Sequence, residues 1–352
     1  MKSFTRVAAL CGVSALVLAA CGTPPEEKAG ESDSGVSSDY KACMVSDQGG
    51  FDDKSFNESG YNGLKAIEAK GAEIGKAESA SEQDFKPNLQ SLVQQECNTI
   101  YAVGYLFSNS IKTEAEANPD LHYAIIDATA ADEEGNPVEV ENVKPLLFDT
   151  SQASFLAGYV AAGTTETGTV ATYGGMKIPS VTIFMDGYVD GVAHYNKVHG
   201  TDVKVLGWNK GSQDGSFSGD FEDQTKGKAL TDGFISQGAD IIMPVAGPVG
   251  AGSIAAAKDK KGTKIIWVDS DGAESNPSAK DVILTSVMKG IAKSVEDTAS
   301  EIGEGKFSNE PYIGTLENEG VGLAPYHDFD DKVPAELKKE VETLRQDIID
   351  GK

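Results

Sequence analysis

The chain is poor in the residues that soft metals and redox chemistry need. Its 352 residues include four cysteines and four histidines. No two cysteines have C-x-x-C spacing, which excludes a zinc ribbon or a dithiol centre of that form. His122, His194, His199 and His327 form no H-E-x-x-H, and no G-x-S-x-G elbow exists. Gly247 opens a G-x-x-x-x-G run, but Ser253 stands where a phosphate loop has lysine. Asp269-Ser270-Asp271-Gly272 begins like a calcium loop, yet Lys280 occupies the position that needs glutamate. No catalytic residue, metal or cofactor is therefore assigned. Paired carboxylates leave a hydrolase open as a minor reading. Positive charge is also scarce, with 30 Lys and Arg against 55 Asp and Glu. Such a surface repels polyphosphate backbones, so no nucleic-acid partner is expected.

Long apolar runs are absent too. The longest, residues 7–18, is broken by Ser14 and is too short for a bilayer that needs ~20 residues. With Lys2 and Arg6 before it and Leu18-Ala19-Ala20-Cys21 after it, the run reads as a lipoprotein signal peptide. Cleavage before Cys21 would leave a thiol to carry a diacylglycerol and hold the protein on the extracytoplasmic face of the cell membrane. The alternatives are an ordinary signal peptide or a membrane helix. Loss of residues 1–20 leaves 28 basic and 55 acidic residues, a net charge of −27. Residues 22–38 are mostly Pro, Gly, Ser and Glu, with one valine, a composition that cannot form a core. They read, with Cys21, as a disordered tether with a mean span of ~23 Å.

Cys43 and Cys97 remain. Export places them in a compartment that permits disulfides, and each belongs to or adjoins a predicted strand. These placements make the two neighbours and predict a Cys43–Cys97 disulfide; two buried free thiols are the alternative.

From residue 39 onward, short apolar runs alternate with helical patterns. Strands are predicted at 43–46, 73–77, 99–103, 122–126, 145–148, 169–173, 203–207, 240–245, 264–268 and 282–285. Helices are predicted at 55–69, 84–95, 108–118, 152–162, 180–198, 226–237, 250–261, 290–302 and 334–349. Most strands are β-branched or aromatic and nearly continuous in apolar character, as strands buried on both faces are. The pattern predicts an α/β fold with two doubly wound parallel-sheet lobes, because the length exceeds one comfortable core. The expected division is 39–150 plus 273–313 for one lobe and 151–272 plus 314–352 for the other.

Ligands in such sheets bind beyond the carboxyl ends of the strands. Ser46 is followed by Asp47, Gln48, Gly49 and Gly50, and the fourth strand by Asp127. The later strands are followed by Gly174-Gly175-Met176, by Ala246-Gly247, by Asp269-Ser270-Asp271 and by Lys289. Singly, each is an ordinary turn or helix cap, and Asp52 or Asp53 is expected to cap the first helix. Together they place carboxylates, glycines and a lysine on one edge.

Several of these stretches match a known family. Asp47-x-Gly49-Gly50-Phe51-Asp52-Asp53-Lys54-Ser55-Phe56-Asn57 closely resembles the opening motif of the basic membrane protein family of lipoproteins. The resemblance continues through Gly174-Gly175-Met176-Lys177-Ile178-Pro179, Phe184-x-x-Gly187-Tyr188 and Phe221-Glu222-Asp223-x-x-Lys226-Gly227-Lys228. It extends to Gly238-Ala239-Asp240, Ala246-Gly247-x-x-Gly250-x-Gly252, Asp269-Ser270-Asp271 and Ser286-Val287-Met288-Lys289, covering residues 40–325 in family order. Members are substrate-binding proteins of ABC transporters with a periplasmic-binding-protein type I fold, and many bind purine nucleosides.

The resemblance implies a clamshell that passes a purine nucleoside such as adenosine, guanosine or inosine to an ABC permease. It implies Phe56 and Phe221 on the two faces of the base, Asp47 and Asn57 at its edge, and Asp127 close by. Gly247, Asp269 and Lys289 resemble the ribose-contacting set, and Asp271 of the same motif is taken with them. Aromatic stacks adding ~0.5–1.5 kcal/mol each and hydroxyls donating to carboxylates at ~1.5–3 kcal/mol fit such a ligand. After the cost of closure, the net is about micromolar affinity. Two departures bear on ligand identity: Gly272 stands where many members carry glutamine, and residues 209–220 form a longer polar stretch. A sensor of the same fold and a surface nucleoside hydrolase are the rival functions.

Overall fold

The computed structural model describes residues 39–352; the predicted signal peptide, Cys21 and tether lie outside the described residues. The strands are β1 (Lys41–Ser46), β2 (Glu73–Glu78), β3 (Thr99–Val103), β4 (His122–Ile126), β5 (Val143–Phe148), β6 (Thr169–Gly174) and β7 (Lys204–Leu206). They continue with β8 (Trp208–Asn209), β9 (Asp214–Gly215), β10 (Ile241–Val245), β11 (Lys264–Asp269), β12 (Ile283–Lys289), β13 (Tyr312–Gly314) and β14 (Val321–Leu323). The helices are α1 (Phe56–Ala69), α2 (Phe85–Gln94), α3 (Ser108–Ala117), α4 (Thr150–Thr164) and α5 (Pro179–His199). The rest are α6 (Gln224–Ser236), α7 (Gly250–Asp259), α8 (Gly272–Ser275), α9 (Ile291–Gly303) and α10 (Ala335–Ile349).

Two six-stranded sheets result, ordered β13-β5-β4-β3-β1-β2 and β14-β12-β11-β10-β6-β7. All their pairings are parallel except that of β14 with β12. The apolar runs explain this: every residue of β3 and of β10 is buried, as strands covered by helices on both faces must be. The fold is the two-lobed α/β arrangement that the strand–helix alternation predicts. No helix among the described residues is long and apolar enough to cross a membrane.

The chain passes from β5 in the first sheet to β6 in the second. The expected return near Gly272 is corrected: β12 lies in the second sheet, beside β11, with Val268 opposite Val287 and Asp269 opposite Met288. The buried run of β12 completes a parallel unit with β11, and residues 270–282 connect the two within that lobe. The return falls at Gly290 instead, after which α9 packs on α1 so tightly that a Cβ on Gly63 would lie 2.6 Å from the Ala292 carbonyl oxygen. β13 then joins the first sheet and β14 the second.

These crossings are tied together. Asp149 N–H donates to the Gly314 carbonyl at 2.8 Å, and Gly290 N–H to the Gly320 carbonyl at 2.8 Å. Leu316 N–H donates to Gln152 Oε1 at 2.9 Å. A disulfide joins Cys43 of β1 to Cys97, just before β3, with Cα atoms 5.9 Å apart. The polar stretch 209–220 contains the turn of a small hairpin, β8 with β9, continued by a bridge between Gly174 and Phe217.

Candidate ligand site between the lobes

The carboxyl ends of both sheets converge on one cavity with about 530 Å³ of space free of protein atoms, mouth included. Asp47 follows β1, Gly104 follows β3 and Asp127 follows β4; these come from the first lobe. Ala246 and Gly247 follow β10, Asp269 ends β11 and Lys289 ends β12; these come from the second. Phe56 and Asn57, the first residues of α1, line the cavity from one side, and Phe221 lines it from the other lobe.

The start of α1 is held by Asp53, one of the two expected caps. Its carboxylate accepts from the backbone N–H groups of Ser55, Asn57 and Glu58, each at 2.9 Å. Those bonds satisfy donors that have no partner within the helix. They also orient Phe56 and Asn57. Burial pushes the Asp53 carboxyl up to about 6, against the three N–H bonds that lower it.

Asn57 Nδ2 donates to Asp47 Oδ1 at 3.0 Å and to the Gln48 carbonyl at 3.1 Å. Asn57 Oδ1 is buried and has no partner. Burial raises the Asp47 carboxyl to about 8, the Asn57 bond opposing and the negative charges of Asp53 and Asp269 adding.

Lys289 is the centre of a second cluster. Its ammonium pairs with Asp127 across the lobes and with Asp269 Oδ1 at 3.2 Å. It also lies 5.0 Å from the Phe56 ring centroid and 4.6 Å from that of Phe184. Burial works against this charge, but the two carboxylates outweigh it and leave the lysine raised. Asp127 rises to about 6, because burial exceeds what Lys289 restores. Asp127 and Asp269 both hold left-handed backbone, with φ of 61° and 69°. Such angles are uncommon outside glycine and concentrate at functional sites. Asp269 also accepts from Ser55 Oγ at 2.8 Å, a further bond between lobes.

Eight of the nine residues expected to bind ligand thus line one cavity: Asp47, Phe56, Asn57, Asp127, Phe221, Gly247, Asp269 and Lys289. Asp271 is the exception and is corrected. Its carboxylate caps α8, accepting from Ala273 N–H at 3.0 Å, and pairs with His327 at 2.7 Å outside the cavity. Once Asp269 ends the strand, Asp271 belongs to the next helix start. Sequence reasoning also missed lining residues. Gly104 follows a strand as Asp127 does, so the same strand-end rule would have found it. Phe184 stood in a matched motif but carried no assigned role. Among the described residues, no group of three or more His, Cys, Asp or Glu could hold a metal ion.

A cavity between two lobes, at the carboxyl edges of two parallel sheets, is the arrangement of the periplasmic-binding-protein type I class. Residues 40–351 match the Bmp family, described as ABC transporter substrate-binding protein PnrA-like, and the chain belongs to that family. It is 31% identical over 369 residues to the CD4+ T-cell-stimulating antigen of Listeria innocua, covering 99% of this chain and 97% of that relative. It is 30% identical over 370 residues to the ABC transporter nucleoside-binding protein BmpA of Lactococcus lactis, covering 100% of this chain and 98% of the other. A solved ABC transporter solute-binding protein of Aeropyrum pernix aligns with a TM-score of 0.79 at 24% identity, over 89% of this chain and 92% of that one.

Proposed function

We propose that this substrate-binding protein captures a purine nucleoside between its lobes and delivers it to an ABC permease. The observation that carries the reading is the pairing of chemistries in one cavity. Phenylalanines from opposite lobes, Phe56 and Phe221, accompany the Asp47–Asn57 pair and the Asp127–Lys289–Asp269 cluster. A purine has two π-faces and a polar edge, and its ribose has hydroxyls that donate to carboxylates. Gly247, with no side chain and φ of 51°, leaves its backbone open to the sugar. The relative from Lactococcus lactis is named for nucleoside binding, which supports the same ligand class.

A thermal-shift screen of nucleosides, free bases and sugars tests this. A purine nucleoside should raise the melting temperature, and Phe56→Ala and Asp269→Ala should each remove most of that rise. No rise with any nucleoside, or normal binding by both variants, would overturn the site. Chromatography after incubation with inosine separates a hydrolase, since a binding protein releases no free base. The reading includes a lipid anchor at Cys21 on the extracytoplasmic face. Cys21→Ala should release the protein from membranes in fractionation and leave ligand affinity unchanged.

A further inference from the structure

Each lining carboxylate except one has its charge answered. Asp127 and Asp269 share the Lys289 ammonium, and Asp53 accepts three backbone N–H groups. Asp47 has only the Asn57 amide, at 3.0 Å on Oδ1, and its own backbone N–H as partners, and no cation. Its other oxygen, Oδ2, sits over Gly104, where any Cβ would collide with it. The charged groups around Asp47 are Asp53 before α1, Asp127 after β4, Asp269 at the end of β11 and Lys289 at the end of β12. The one cation among them is already paired twice. Beside Asp47, the buried Asn57 Oδ1 is an acceptor with no donor.

We propose that Asp47 meets the base as a neutral carboxylic acid, donating its O–H to an acceptor atom while the Asn57 carbonyl accepts from an adjacent N–H. The inference rests on the purine-nucleoside reading and specifies which protons the cavity supplies. Adenine offers such an edge, a ring nitrogen beside the exocyclic amine. Hypoxanthine offers one as well, its O6 beside N1–H. An ionised Asp47 beside the Asn57 carbonyl would present acceptors alone, and would suit only an edge of two donors. The same geometry accounts for the position of Asp47 near pH 8: burial without a cation favours the uncharged acid.

Adenosine is the probe, because its base does not titrate between pH 6.5 and 9.5. By titration calorimetry its affinity should be level between about pH 7 and 8, above the range where Asp53 and Asp127 titrate, and fall by about tenfold per pH unit above that, as one proton becomes a co-requisite of binding. Heats compared in buffers of different ionisation enthalpy should show uptake approaching one proton per adenosine at pH 9. Asp47→Asn keeps a donor that does not titrate, so its residual binding should lose the slope. At pH 7, either 1-deaza- or 7-deazaadenosine should bind at least tenfold more weakly than adenosine. A flat profile with no proton uptake in the wild-type protein overturns the proposal, as does full affinity for both deaza analogues. Failure of any nucleoside to bind at every pH overturns the nucleoside reading itself, and is distinguishable because no heat is seen at all.

Discussion

At the scale of single residues, the cavity depends on side chains that are absent as much as on those present. Gly175 follows β6, and a Cβ placed there would run into the ring of Phe221. Gly175 does not need left-handed backbone, but the same Cβ would lie 3.1 Å from the Asp220 carbonyl, so alanine displaces the ring and presses on that turn. Gly175→Ala should therefore cost about 1 kcal/mol of stability through overpacking and weaken nucleoside binding by about 3–10-fold, the value of one aromatic stack. Calorimetry beside a denaturant melt checks both halves. Asp47 has a consequence for stability as well. Its carboxyl titrates near 3.9 in an unfolded chain and near 8 here. Between those values the folded state holds a proton that the unfolded state has released, so this residue's contribution declines as pH rises from about 4 to 8 and is level above. Asp47→Asn removes the decline. Its stability relative to wild type should improve from pH 5 to about pH 8 in urea melts and level off above; a gap independent of pH would contradict the burial of an uncompensated carboxyl.

At the scale of elements, α5 brings Ser180, Val181 and Phe184 to the cavity, and its position is set by close contact with α4. Glycines allow that contact: a Cβ on Gly158 would strike the Tyr188 carbonyl, and one on Gly191 the Phe155 carbonyl. Backbone cannot yield as a side-chain tip can. Gly191→Ala should destabilise by about 1–3 kcal/mol through overpacking, despite the helix propensity that alanine adds. Gly233 in α6 is exposed with nothing near its Cβ position, so Gly233→Ala should stabilise by about 0.5–1 kcal/mol. Urea melts of the two give opposite signs if packing, rather than propensity, governs α4 and α5. Elements of this kind were readable in advance. β3 and β4 run between the residues that the apolar pattern marks, because strands buried on both faces interrupt polar sequence sharply. Which sheet a strand joins was not readable. The residues of β12 are equally apolar in either lobe, and only their pairing with β11 places them. The same limit applies to Asp271. An aspartate two residues past a strand end reads alike whether it faces a cavity or caps a helix, and backbone direction decides. Residues 209–220 look like a plain polar loop, but Phe217 and Trp208 pack edge to face and anchor the hairpin there.

At the scale of the whole molecule, the question is what holds the lobes together before ligand arrives. The closed form has polar bonds across the cleft: Ser55 Oγ to Asp269, Ser270 Oγ to the Lys54 carbonyl at 3.0 Å, and Lys289 to Asp127. Gly49 lies against Pro248 at the same seam. Each such bond exchanges with water on opening, so its net worth is ~0.5–1.5 kcal/mol where both groups are neutral and ~1.5–3 kcal/mol where one is charged. A ligand contacting both lobes adds only to the closed state and shifts the population toward it. Ser55 is outside the proposed ligand contacts, although its hydroxyl donates to Asp269, which is one of them. Ser55→Ala removes one interlobe bond to the Asp269 carboxylate and leaves every proposed ligand-contacting side chain in place. The ligand-free variant should populate the open form more and show a larger radius of gyration by small-angle scattering than the wild type. Saturating nucleoside should bring both proteins to the same value. Apparent affinity should fall only by the lost closed fraction, about tenfold at most for ~1.4 kcal/mol. Equal radii without ligand would mean that the seam contributes nothing to closure, and that the hydrogen-bonded crossings at Asp149, Gly290 and Gly314 alone set the angle between the lobes.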